Sequence, residues 1–123
     1  MQKVFLIVSG ISGALSVAIG AFGAHGLKAF LETNNRIETF ETAVKYQFYH
    51  TFALMVVGLL MNQFTNKSLE LAGWFFVTGI FIFSGSLYLL CASGIKWLGA
   101  ITPIGGLFFI GGWLMLAYAM LKS

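Results

Sequence analysis

Formal charge is scarce in this chain, with 7 Lys and Arg and 4 acidic residues among 123, or 9% of the sequence. Soluble domains carry about 25% charged residues, so a water-facing globule of this composition is excluded. All four acidic residues are Glu, and no Asp occurs. No Ser-His-Asp set can therefore be placed, and the sequence offers no paired intramembrane carboxylate, no phosphate-binding loop and no HExxH motif. Catalysis has no foothold here, and a non-enzymatic protein without a cofactor is the expectation.

The other shortages narrow the class further. A single cysteine, Cys91, cannot close an internal disulfide and reads as a buried, inert thiol. The net charge of +3 is scattered, with no run of Lys or Arg, so nucleic-acid binding lacks its electrostatic footprint. Weak attraction to anionic lipid headgroups is the better meaning of that excess. The one proline, Pro103, follows Thr102 and permits two readings: a helix starting at Pro103 with a threonine cap, or one continuous helix from Trp97 kinked at the proline.

What is present is apolar. Hydrophobic residues make up 59% of the chain, and the eleven charges part to leave four long uncharged stretches. They hold 24 residues between Lys3 and Lys28, 21 between Lys45 and Lys67, 25 between Glu70 and Lys96, and 25 between Lys96 and Lys122. A bilayer core of ~30 Å needs roughly 20 helical residues, so each stretch is long enough to cross once. The expectation is an all-α, four-helix transmembrane bundle, one integral membrane domain over residues 1–123, with spans near 4–24, 43–61, 71–92 and 98–121. Lys3 and the small residues near Ala24 give the first stretch a faint look of a secretory signal. Its apolar run from Val4 to Ala24 exceeds an ordinary signal core, which favours a retained helix. The Lys and Arg residues divide three to four between the two membrane faces, so orientation is not fixed. A multi-pass protein of the cell membrane, self-associating in the bilayer, fits these features.

Small residues mark the packing faces. Ser12, Ser16, Gly20 and Ala24 recur every four residues in the first span, as do Gly10, Ala14 and Ala18. Such stripes let helix backbones approach closely where lipid supplies no hydrophobic force between helices. They suggest that this helix is central, with Gly23, Ser84-Gly85-Ser86, Thr102-Pro103 and Gly105-Gly106 as further packing positions. The Ser84 and Ser86 hydroxyls are expected to bond back to their own helix. Residues 27–44 form the only amphipathic stretch, read as a short interfacial helix, a turn at Thr33-Asn34-Asn35, and a new helix capped by Asn35 with Glu38.

Polar groups at lipid depth are functional candidates because they are costly unless partnered. The densest group runs from Lys45 through Tyr46, Gln47 and Tyr49 to His50, and His25 ends the first span at the same membrane face. Three readings fit it. The first is a hydrogen-bonded interface layer, with Lys45 snorkelling and Tyr rings in the headgroups. The second is a shallow cavity in which His25, Lys45, Tyr46, Gln47, Tyr49 and His50 hold a lipid, a small molecule or a partner helix. The third is metal or bis-histidine haem ligation. A small oligomeric channel or transporter is the alternative at the level of the whole protein, although all four Glu lie outside the spans.

Four segments resemble a known family. Gly20-Ala-Phe-Gly-Ala-His-Gly-Leu27, Tyr46-Gln-Phe-Tyr-His50, Phe83-Ser-Gly-Ser-Leu-Tyr88 and Gly99-Ala-Ile-Thr-Pro-Ile-Gly-Gly106 resemble domain-of-unknown-function family 423. That group of small bacterial membrane proteins is similar to the eukaryotic transmembrane protein 256. The resemblance implies a four-helix integral membrane protein and supplies no activity. It implies that His25, Tyr46, Gln47, His50, Ser84 and Pro103 lie at motif-bearing positions.

Overall fold

The computed structural model describes residues 1–123 and contains helices, turns and no strand. Helix α1 spans Gln2–Ala24, α2 Lys28–Thr33 and α3 Ile37–Leu60. One long helical rod follows: α4 (Lys67–Gly79), a π-helical segment (Ile80–Ser84) and α5 (Gly85–Ser93). Helix α6, Leu98–Lys122, closes the chain. Three of these rods, Gln2–Ala24, Lys67–Ser93 and Leu98–Lys122, are long and apolar enough to cross a membrane.

Local chemistry explains the ends. Asn66 caps α4, its side-chain oxygen accepting from Leu69 N–H at 3.0 Å, which satisfies one orphan donor of the first turn. Gly94 ends α5 at φ +74, a left-handed position where a side chain would be strained. The capping box expected at the start of α3 does not form. Arg36 occupies the cap without a side-chain bond, and Asn35 instead turns the chain at φ 54, one of the few roles asparagine fills better than most residues. Helix α6 runs through Pro103, so the continuous reading holds and Thr102 is no cap. The proline sits in the second turn, where its missing N–H leaves the Gly99 carbonyl without its helical donor.

Helix α1 lies along α3, α4 lies along α6, and α3 joins the two pairs. Helix α1 is therefore peripheral, contrary to its expected central place. Its buried face carries Phe5, Ser9, Ser12, Ser16 and Gly23, while the Gly10-Ala14-Ala18 stripe faces outward. Packing is dominated by rings laid over glycines of a facing helix. Phe40 covers Gly23, Phe5 covers Gly73, and Phe76 lies where a Cβ on Gly112 would come within 2.6 Å of it. The closest backbone approach is Gly105 on Phe83, where a Cβ would lie 2.8 Å from the Phe83 Cα. Gly85 has open space around it and Gly106 makes only ordinary contact, so neither is the close-packing position expected of it.

The π segment was not foreseen. Gly85 N–H reaches back five residues to Ile80 O, inserting one residue into the turn. The wider turn coincides with the Gly105 contact at Phe83. It also coincides with a link from Ser84, whose hydroxyl donates to Ala43 O of α3 at 2.7 Å rather than to its own helix.

Candidate functional site

Helix α3 carries most of the predicted polar residues, and its rotation sends them in different directions. Gln47 is buried against α1 and α5. Its Nε2 donates to the Ser12 carbonyl at 3.2 Å and to Ser12 Oγ at 3.3 Å, and its Oε1 accepts from Tyr88 OH at 2.6 Å. The Thr51 hydroxyl spends its only proton on Gln47 O at 2.7 Å, so Ser12 is the donor in the 2.7 Å Ser12–Thr51 pair. Gln47 Nε2 meets two acceptors and each hydroxyl in this chain of bonds meets one, and no buried side-chain N or O lacks a partner. Such satisfied networks fix helix register because any slip strands a polar group in an apolar layer.

His50 faces the other side, toward α6. Its ring lies parallel to Phe109, with centroids 3.5 Å apart and planes 6° from parallel. Nδ1 lies 2.7 Å from Tyr46 O, and Trp113 Nε1–H donates to Nε2 at 3.0 Å. The indole can only donate, so Nε2 accepts and Nδ1 carries the proton toward the carbonyl. Both ring nitrogens are thus occupied. Tyr46, more than a third exposed, stacks on Phe83 at 4.7 Å, and Tyr49 points outward.

His25 does not join this group. Gly13 packs at the level of Thr51, Gly20 at Val44 and Gly23 at Phe40. His50 therefore lies about twelve residues down α1 from the exposed His25, roughly 18 Å at 1.5 Å per residue. The expected shallow cavity lined by His25, Tyr46, Gln47 and His50 is corrected: α3 directs Gln47 and His50 to different neighbours, and its length separates the histidines. The same separation removes a bis-histidine haem pair, and no three His, Cys, Asp or Glu side chains converge on a metal position.

A cavity does exist near one end of this region, and the residue that ties it to the predicted cluster is Lys45. It has a volume of about 460 Å³ and lies where the end of α1, the short α2 and the start of α3 meet. Gly20, Gly23, Leu31, Phe40 and Val44 form its apolar wall, and Lys28, Glu41 and Lys45 carry charge at its edge. The wall exists because α2 folds back over the helix pair, burying Leu31 against Phe40 and Cys91. Gly20 and Gly23 keep the α1 side flat. Of the predicted site residues only Gly20, Gly23 and Lys45 line it. Lys28 and Glu41 stood outside the expected site: in sequence Lys28 belongs to the amphipathic stretch at residues 27–44, and Glu41 is one of four Glu outside the spans. Lys28 is the first charge after one uncharged stretch, and Glu41 lies one turn before Lys45, which opens the next. Ser12, Thr51 and Tyr88 were missed for another reason: their partners lie 39 or 41 residues away in sequence.

Comparison with known proteins places the chain among membrane proteins. The family model described as protein of unknown function (DUF423) matches residues 19–106. The UPF0382 membrane protein SERP0230 of Staphylococcus epidermidis is 46% identical over 121 residues, covering 98% of each chain. The UPF0382 membrane protein SH2409 of Staphylococcus haemolyticus is 45% identical with the same coverage. The UPF0382 membrane protein YwdK of Bacillus subtilis is 43% identical over 122 residues, again 98% of both chains. No solved structure matches the chain. Relatives described as membrane proteins, together with three apolar rods of spanning length, identify an integral membrane protein.

Proposed function

This chain belongs to the DUF423 family, and from that premise we propose a multi-pass protein of the cell membrane that holds an amphiphile in the cavity beneath α2. In this reading α1, α3, the Lys67–Ser93 rod and α6 all cross the bilayer, and α2 lies at its surface. Helix α3 is 24 residues long, ~36 Å at 1.5 Å per residue, and no charge interrupts it after Lys45, whose ammonium can snorkel to the headgroups. Its charged first turns, with Glu38 and Glu41, lower its mean hydropathy without shortening that apolar part. Helix α2 buries Leu31 and leaves Lys28 and Glu32 exposed, as a helix resting in the headgroup layer does.

The observation that carries the reading is the cavity itself. An apolar wall with charges at one edge matches a molecule with an apolar body and a polar head. None of the lining residues is Ser, Thr, Cys or His, and its three charged groups stand at the edge of an apolar wall, which supports binding rather than turnover. The test is mass spectrometry of small molecules that stay with the purified protein. Filling the cavity with Ala24→Phe is expected to release a retained amphiphile; equal retention by this variant overturns the reading.

A further inference from the structure

The edge of the cavity indicates which amphiphile fits it. Building on the amphiphile reading above, we infer that the site selects an anionic phospholipid, with its phosphate between the Lys28 and Lys45 ammonium groups and an acyl chain along the wall formed by Gly20, Phe40 and Val44. The two lysines come from different elements, Lys28 from the first residue of α2 and Lys45 from the third turn of α3, yet both line the same space. Both are exposed, and neither ammonium donates a hydrogen bond to another part of the chain. Lys45 is the last charge before the uncharged stretch of α3, which sets it at headgroup depth, where lipid phosphates lie. Lysine presents a compact charge on a flexible stem and so can follow a phosphate whose position varies with the lipid.

Glu41, one turn before Lys45, also lines the cavity and opposes an anion. The edge therefore carries two positive charges against one negative. That surplus favours a headgroup of net negative charge over a zwitterionic one, since a zwitterion's own cation gains nothing from the second lysine. Arg36 and Lys96 lie on the same face of the molecule but do not line the cavity. A general attraction of this face for anionic membranes would involve them equally, and a built site would not.

The test is native mass spectrometry of the full-length protein from mixed micelles holding phosphatidylglycerol and phosphatidylcholine with identical acyl chains. Wild type is expected to retain phosphatidylglycerol preferentially. Lys28→Gln and Lys45→Gln are each expected to cut that preference roughly fivefold, and the pair roughly twenty-five-fold, the scale of one lysine's attraction to an anionic surface. Glu41→Gln is expected to raise the preference, and Lys96→Gln to leave it unchanged. All four positions are exposed, so the core is not at stake. An unchanged preference in the double variant, or an equal loss from Lys96→Gln, overturns the inference. Release of the lipid by inorganic phosphate alone also overturns it, because the acyl chain would then add nothing. The two levels separate cleanly. If Ala24→Phe expels both lipids while the lysine variants keep the ratio, amphiphile binding stands and headgroup selection falls. If Ala24→Phe changes nothing, the amphiphile reading itself falls.

Discussion

Replacing Gln47 by Met keeps the length of the side chain and removes the amide that ties three helices together. The native amide donates to α1 at 3.2 and 3.3 Å and accepts from Tyr88 of α5 at 2.6 Å. Hydrogen bonds between membrane helices are worth ~0.6 kcal/mol on average and at most ~1.7, so losing two interhelical links costs about 1–3 kcal/mol. Removing the Tyr88 hydroxyl with Tyr88→Phe breaks only one link, so its cost stays within ~0.6–1.7 kcal/mol. The two changes share a bond, so the double variant is expected to lose less than the sum, by roughly 0.5–1.5 kcal/mol. The assay is unfolding by sodium dodecyl sulfate in mixed micelles, followed by helix content, for wild type, both single variants and the double. A Gln47→Met protein as stable as wild type, or strict additivity in the cycle, would refute the view that this amide holds α1 and α5 to α3.

Other positions give sharper contrasts. Gly105→Ala places a Cβ 2.8 Å from the Phe83 Cα, and is expected to destabilise by about 1–3 kcal/mol in the same unfolding assay. Gly10→Ala meets nothing within 4 Å and is expected to stay within ~0.5 kcal/mol of wild type; equal losses at the two glycines would contradict the packing described. Trp113→Phe keeps an aromatic ring and deletes the N–H given to His50, an expected loss of ~0.6–1.7 kcal/mol, and adding His50→Phe is expected to recover part of it by removing the stranded acceptor. Cys91 is 5% exposed, so a maleimide is expected to label it slowly until the protein is denatured, whereas a cysteine placed at the exposed Ala92 labels at once.

Much of the helical outline was legible in the sequence. The uncharged stretches anticipated every long rod to within a few residues at most boundaries, and the amphipathic stretch from Leu27 anticipated the short α2 and the turn at Asn35. The capping box failed because capping depends on the dihedral of one residue, and Asn35 suits a left-handed turn as well as a cap. The π segment was invisible because Ile80–Ser84 has an ordinary apolar composition; its wider turn coincides with contacts to Gly105 and Ala43, which lie far away in sequence. Gln47 and Tyr46 look equivalent in sequence, both polar and adjacent. Only the position of α1 and α5 around α3 makes one a buried link and leaves the other a partly exposed ring.

The sequence by itself determined the kind of protein and the lengths of its uncharged stretches, because the cost of a charge in hydrocarbon is local and acts wherever the charge stands. The tertiary structure decided the partners. Whether Ser84 bonds its own helix or α3, whether His50 meets His25 or Trp113, and whether Lys28 and Lys45 share one cavity all depend on the rotation and register of one helix against another. Those are set jointly by glycine–ring contacts such as Gly23 with Phe40 and by the Gln47 network, across separations that no periodicity within a single helix encodes.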